Sequence, residues 1–384
     1  MDKITDPATG LDFLDRLRES DSHKGRTFDD LSDFLEQRAR EQGVPIHGQF
    51  ELTPLCNLDC KMCYTHLTPE QMKGRGLLTT EQWKDLMRQA YELGMYKVTL
   101  TGGECLTYSG FKELFLYLHS LGCEINVLTN GILLDESWIS FFREHTPAVI
   151  QITLYGNDNA SYEKVTGRRV FDTVVNNIKR ITDADLPLQL AITPNAYLKD
   201  NMLDTVKLAK SLCKAVRINS ALFDPREETG RSGQCIDLSL DEYVDMYRFL
   251  QEMEGKKVSE IPGDLLPEPG GKSYDPSKSG LLCGGGRSGF VITWNGNMYP
   301  CNRLTQIEAL PLEEEFAVAW QKINTACNNW PRVAECDGCP YFDVCDNCAA
   351  TMLEYAEPGK RPARLCERTR YMVKHGVRRI AECQ

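Results

Sequence analysis

Cys56, Cys60 and Cys63 stand at C-x-x-x-C-x-x-C spacing within "ELTPLCNLDCKMCY". Three thiolates so spaced can hold three irons of a [4Fe–4S] cluster and leave the fourth iron open to a small molecule. The same cysteines together with His66, in "CYTH", can instead form a four-ligand zinc site. A second group, "TGGEC" from Thr101 to Cys105, has Gly102 and Gly103, where a ligand can approach the backbone closely. The Glu104 carboxylate that follows can pair with an ammonium group. A third group, "CDGCPYFDVCDNC", packs Cys336, Cys339, Cys345 and Cys348 together and admits zinc, iron–sulfur or disulfide chemistry.

The surrounding chain bounds these choices. Its 384 residues include 16 cysteines, and there is no secretory start in "MDKITDPATG". Cysteines at C-x-x-C spacing in a chain without a secretion signal favour metal or cluster binding over disulfides. The expectation is a cytoplasmic enzyme with no membrane span, since no apolar run nears the roughly 18 residues needed. A net charge of −11 argues against a nucleic-acid partner held through its phosphates.

The first two groups need a frame that brings them together. From residue 47, strand-like and helix-like segments alternate: "IHGQFELTPL", then "TTEQWKDLMRQAYELG" with Thr79 and Gln82 spaced as a capping box and Gly94 as the stop. "YKVTLTGG", "CEINVLTNG", "AVIQITLYG", "LPLQLAITPN" and "AVRINSALF" continue the strands, each followed by an amphipathic helix. Six βα units predict a parallel α/β sheet in an open, partial (β/α)6 barrel, with its site at the C-terminal strand ends. Residues 1–46 read as a helical extension packed outside, residues 47–254 as the barrel, and residues 255–282, rich in Gly, Pro and Lys, as a linker. Residues 283–384 read as an irregular cysteine-rich module of little apolar content, opened by a hairpin turning at Asn295-Gly296. Such a module needs metal to hold its shape.

With the cysteine loop after the first strand and the Gly-Gly-Glu after the second, residues 47–250 resemble the radical S-adenosylmethionine (SAM) enzymes. The resemblance implies a [4Fe–4S] cluster on Cys56, Cys60 and Cys63 whose open iron chelates SAM. It puts Met62 and Tyr64 near the adenine and Gly102, Gly103 and Glu104 at the SAM amino group. Thr129, Asn130 and Thr153 fall at the ribose, and Ile192 in the adenine pocket. Two departures stand out: Cys105 replaces the proline of G-G-E-P, and "TLYG" replaces "SLDG", so Tyr155 stands in place of the acid. Cys105 is accordingly a candidate hydrogen-atom donor, against the plainer reading of a packed core thiol.

The C-terminal cysteines are similar to the SPASM module, which carries two auxiliary [4Fe–4S] clusters. The resemblance implies one cluster on Cys336, Cys339, Cys345 and Cys366, and another on Cys283, Cys301 and Cys348 with its fourth ligand unassigned. The interval before Cys348 is one residue shorter than the family's. Without the barrel beside it, two zinc sites would be the favoured reading of this module.

The implied activity is reductive SAM cleavage to a 5′-deoxyadenosyl radical that abstracts hydrogen from a peptide. The leading product is a thioether or other crosslink in a ribosomally made peptide. Formylglycine formation, as in anaerobic sulfatase maturases, is an alternative, disfavoured by Asn302 where those relatives carry Asp. Peptide epimerisation, with Cys105 or Cys235 as donor, and a non-catalytic iron–sulfur or zinc protein are the others. The implied partners are a peptide or protein substrate and an electron donor such as flavodoxin or ferredoxin. A leader peptide would be recognised by a separate protein or by the barrel itself.

Overall fold

The computed structural model describes residues 28–219, 222, 225–230, 238–253, 260, 261, 266–268 and 280–378. Helix α1 (Phe28–Gln42) ends at Gly43, whose φ of +68° lies in the left-handed region that favours glycine. The barrel then runs β1 (His47–Glu51), α2 (Thr80–Glu92), β2 (Lys97–Thr101), α3 (Phe111–Ser120), β3 (Glu124–Thr129) and α4 (Glu136–Glu144). It continues through β4 (Val149–Thr153), α5 (Asn159–Thr166), α6 (Phe171–Asp183), β5 (Leu188–Ile192), α7 (Met202–Leu212), β6 (Val216–Ile218) and α8 (Leu240–Met253). These six strands are parallel and neighbour one another in chain order, as the alternation predicts.

Local chemistry explains the element ends. Thr79 Oγ1 accepts from Gln82 N at 3.2 Å while Gln82 Oε1 accepts from Thr79 N at 2.9 Å, completing the capping box. Helix α2 then buries Trp83, Leu86, Met87 and Ala90, one stripe at helical spacing. Helix α5 is not anticipated from the sequence. Its eight residues are started by the Asp158 cap on Ser161 and stopped by Gly167 in the left-handed conformation.

The strands depart from the apolar runs of a parallel sheet buried on both faces. On β4, Ile150 and Ile152 are fully buried under helices, whereas Gln151 and Thr153 line an internal cavity. On β1, Phe50 packs outward and Gln49 faces the same cavity. The inner face therefore borders a chamber, and most of the strand residues on it are polar, with Leu128 and Ile218 the apolar ones.

The chain beyond 283 differs from expectation. Strands β7 (Gly289–Ile292) and β8 (Met298–Tyr299) do form the hairpin turning at Gly296, whose φ is +90°. However, β7 also pairs in parallel with β1, giving one sheet of order β6-β5-β4-β3-β2-β1-β7-β8. A boundary at 283 thus cuts a continuous sheet. Helix α9 (Phe316–Asn328) is regular and buries Phe316, Ala319, Trp320, Ile323 and Cys327. Phe290 meets Phe50, Phe316 and Trp320 edge-on at centroid separations of 5.9, 5.3 and 6.1 Å. Such ring pairs each add ~0.5–1.5 kcal/mol beyond their burial. Trp320 Nε1 donates to Gly43 O at 2.7 Å, pinning α1 to this face. Helices α10 (Ala349–Leu353) and α11 (Ala363–Lys374) complete the fold.

The described parts of the supposed linker are docked. Leu266 is buried with Tyr341 and Val373, and Tyr341 Oη donates to Pro267 O at 2.7 Å.

Candidate active site

A cavity of about 530 Å³ opens at the C-terminal ends of the strands. Its walls include Cys56, Cys60, Met62, Cys63, Tyr64, Gly102, Gly103, Thr129, Asn130 and Thr153. The two groups that lie some forty residues apart in sequence are joined by their backbones. Gly103 N donates to Thr53 O at 2.6 Å and Glu104 N to Leu55 O at 2.9 Å, binding the Gly-Gly-Glu turn to the segment that leads into Cys56. The cysteine loop is held from its other side by α5, through Asp59 N to Thr166 O at 3.0 Å and Lys61 N to Val165 O at 2.9 Å.

Glu104 sits behind this wall and is fully buried. Its carboxylate accepts from Thr129 Oγ1 and Asn130 N, both at 2.7 Å, and from Leu106 N at 3.1 Å. Burial raises its pKa against the pull of these donors. Asn130 extends the chain of bonds to the cysteine loop, donating to Asn57 Oδ1 at 2.6 Å and lying 3.7 Å from Cys56 Sγ. Asn57 had no signal of its own in the sequence.

Three predicted residues are not on the cavity: Glu104 behind its wall, Cys105 and Ile192. Cys105 is fully buried behind Leu128, and its thiol donates to Leu128 O at 3.2 Å. It is a packed core thiol and not a hydrogen-atom donor to the chamber. Ile192 is also fully buried, and its successor Thr193 takes the place on the cavity wall. Adjacent residues of an extended chain face opposite ways, so an error of one position reverses the side chain.

The three thiols fit a cluster. All face one chamber with room for a ligand beside them, and two sulfurs accept backbone N–H groups: Cys56 from Leu58 at 3.4 Å and Cys63 from His66 at 3.3 Å. Burial lifts the Cys56 thiol to about 12 and the Cys60 thiol well above its ordinary range. They become thiolates only as a bound metal group displaces their protons. Among the described residues, no three His, Cys, Asp or Glu side chains converge as the ligands of a single ion.

A buried ion pair lies behind Tyr64. Arg226 holds the Glu51 carboxylate with two bonds of 2.7 and 2.9 Å, and its guanidinium lies 5.3 Å from the centre of the Tyr64 ring. Glu51 is fully buried at the end of β1. Arg226→Ala is expected to cost ~3–5 kcal/mol, because it strands that carboxylate. Chemical denaturation measures the loss, and Glu51→Gln in the same chain should recover much of it.

The C-terminal cysteines form two neighbourhoods. Cys336, Cys339, Cys345 and Cys366 lie close enough to act on one another electrostatically, and so do Cys283, Cys301 and Cys348. Thr369 Oγ1 donates to Cys345 Sγ at 3.4 Å. Cys283, Cys345 and Cys348 line a second cavity of about 350 Å³, and Leu222 borders both chambers. Cys235 lies outside the described residues.

Residues 50–212 match the model of the Radical SAM superfamily. The sporulation killing factor maturation protein SkfB of Bacillus subtilis (strain 168) is 29% identical over 274 residues, covering 70% of this chain and 62% of its own. The antilisterial bacteriocin subtilosin biosynthesis protein AlbA of the same organism is 24% identical over 265 residues, covering 68% and 56%. The chain thus spans less than two thirds of the length of these two relatives. Among solved structures, SuiB of Streptococcus suis bound to S-adenosylmethionine superposes with a TM-score of 0.65 at 15% identity, covering 94% of this chain and 88% of that one. SuiB bound to precursor peptide SuiA gives 0.62, also at 15% identity, covering 94% and 87%.

Proposed function

Since residues 50–212 are a radical SAM domain, we propose that this chain is a radical SAM peptide maturase that forms a thioether or similar crosslink. The observation that carries the proposal is the meeting of Cys56, Cys60 and Cys63 with Gly102 and Gly103 on one chamber at the strand ends. The sporulation killing factor maturation protein SkfB and the bacteriocin biosynthesis protein AlbA among its relatives support a peptide substrate.

When bound, a [4Fe–4S] cluster with SAM would supply one-electron reductive cleavage of SAM and so a 5′-deoxyadenosyl radical. The chain's own part is to hold and exclude. Cys56, Cys60 and Cys63 would hold the cluster, and Gly102 and Gly103 would let the SAM amino acid lie against backbone. Thr129, Asn130 and Thr153 would face its ribose. Met62 and Tyr64 would wall off the adenine from water.

A thioether made from a thiol S–H and a C–H bond loses two hydrogens. One leaves as an atom in 5′-deoxyadenosine, the other as a proton, and one electron remains for an acceptor. The two C-terminal cysteine sets would hold clusters for that role. The three-cysteine set borders a cavity that shares Leu222 with the radical chamber, and its fourth position would be either another cysteine of this chain or a place for a substrate thiolate. A one-electron donor such as flavodoxin or ferredoxin would supply the first electron. Among the described residues no helix is long and apolar enough to cross a membrane.

Formylglycine formation is not favoured. Asn302 lines the chamber and accepts from Gln49 Nε2 at 3.0 Å, and an amide cannot take the acid's part. The test is anaerobic reconstitution with iron and sulfide, then SAM, dithionite and a cysteine-containing candidate peptide. The expected result is 5′-deoxyadenosine together with a peptide two hydrogens lighter. Bound zinc without sulfide, and no SAM cleavage, would overturn the enzyme reading.

A further inference from the structure

The chain carries 55 Asp and Glu residues, yet none of the described residues that line the radical chamber is one of them. The one Lys or Arg among those residues is Arg217, on β6. The register explains why this side chain turns inward. Thr153, Ala191 and Arg217 are matched across β4, β5 and β6, and residues so matched share a face of the sheet. Thr153 and Arg217 accordingly both line the chamber. Between them Ala191 offers only a methyl group, which leaves room over the row for a ligand. Among the described residues no carboxylate pairs with the Arg217 guanidinium, and the residue is exposed. By contrast, the fully buried Glu51 is held by Arg226, and the fully buried Glu104 by Thr129 and Asn130.

We infer that Arg217 is a specificity-determining residue that binds a carboxylate of the peptide substrate, either an Asp or Glu side chain or the C-terminal group. A guanidinium presents a planar fork of donors that matches a carboxylate with two hydrogen bonds. A surface of net charge −11 repels an acidic peptide, so this cation gives the chamber an attraction that the surface lacks. Its place in the fold assigns it to the peptide rather than to SAM. Three strands, β5, β4 and β3, separate β6 from β2, which leads into Gly102 and Gly103. Further along the same segment, Leu222 borders both the chamber and the cavity lined by Cys283 and Cys348. A peptide anchored at Arg217 thus lies on the side where the two cavities meet.

The inference rests on the peptide-maturase reading above, which iron, sulfide and SAM cleavage test separately in the wild-type chain. For Arg217, the anaerobically reconstituted protein with SAM is equilibrated with a pool of short synthetic cysteine-containing peptides. The pool is built as twins that differ only by Glu or Gln at one position, each made as the C-terminal amide and as the free acid. Retained peptides are counted by mass spectrometry. The wild-type chain is expected to retain Glu twins about 10-fold over Gln twins, or free acids over amides if the C-terminal group is the one bound. That preference should vanish in Arg217→Gln and persist in part in Arg217→Lys, while isothermal titration shows the same SAM affinity in all three. Equal retention of twins and of acids and amides by the wild-type chain, or retention of none, overturns the inference, and this comparison needs no variant. So does a preference that survives in Arg217→Gln, or a loss of SAM affinity there, which would give the guanidinium to SAM.

Discussion

Cys60→Ala protein, reconstituted anaerobically, is expected to retain about eight of about twelve irons and to form no 5′-deoxyadenosine. The alanine removes one of three ligands at the centre of the cysteine loop, at a site 8% exposed where solvent cannot readily substitute for it. Cysteines 336 and 366, in the far neighbourhood, serve as the control. Their alanine variants should also lose about four irons, yet still cleave SAM without completing the peptide product. Loss of SAM cleavage in both sets would mean that the two regions do not act separately. Full iron with normal cleavage in Cys60→Ala would remove the loop from the chemistry altogether.

Gly103→Ala is expected to lower 5′-deoxyadenosine formation by ~10²-fold and to destabilise the fold by ~1–3 kcal/mol. A methyl group there would come within 2.7 Å of both the Leu55 carbonyl carbon and Pro54 O, backbone atoms that cannot swing aside. The loop leading to Cys56 must then shift, and the bonds from Gly103 N to Thr53 O and from Glu104 N to Leu55 O go with it. Gly102 is under a similar constraint, with φ of +150° and a Cβ position 2.5 Å from Thr53 O. By contrast, Gly74→Ala meets no atom within 4 Å, and its strain comes only from a φ of +75° on an exposed turn. It should keep nearly full activity. Isothermal titration with SAM and thermal unfolding separate the two effects.

The six βα units were legible because their helices carry clean stripes and caps, as the Thr79–Gln82 pair illustrates. The cysteine loop and the Gly-Gly-Glu turn were legible as chemistry, and their junction follows from adjacent parallel strands. What escaped were features that depend on distant partners. Helix α5 is short, and its value lies in holding the cysteine loop through Thr166 and Val165. Helix α9 was obscured by its cysteine-rich surroundings, although Phe316, Ala319, Trp320 and Ile323 share one face. The pairing of β7 with β1 leaves no local trace at all. Cys105 and Ile192 were misplaced because type and resemblance do not reveal which way a side chain turns at a strand end.

The pairing of β1 with both β2 and β7 bears on the order in which the molecule comes together. Gln49 is matched to Thr99 on one side and to Val291 on the other, so one partner is made soon after β1 and the other some 240 residues later. During synthesis, β1 therefore remains an edge strand with unpaired backbone groups for most of the chain's emergence. The loop that carries Cys56, Cys60 and Cys63 hangs from that open edge. Late arrival of residues 289–292 converts the edge to an interior strand, and this long-range closure is a slow step by its contact order. Iron delivered before that closure meets a loop flanked on one side only; iron delivered afterwards must enter the chamber at the strand ends.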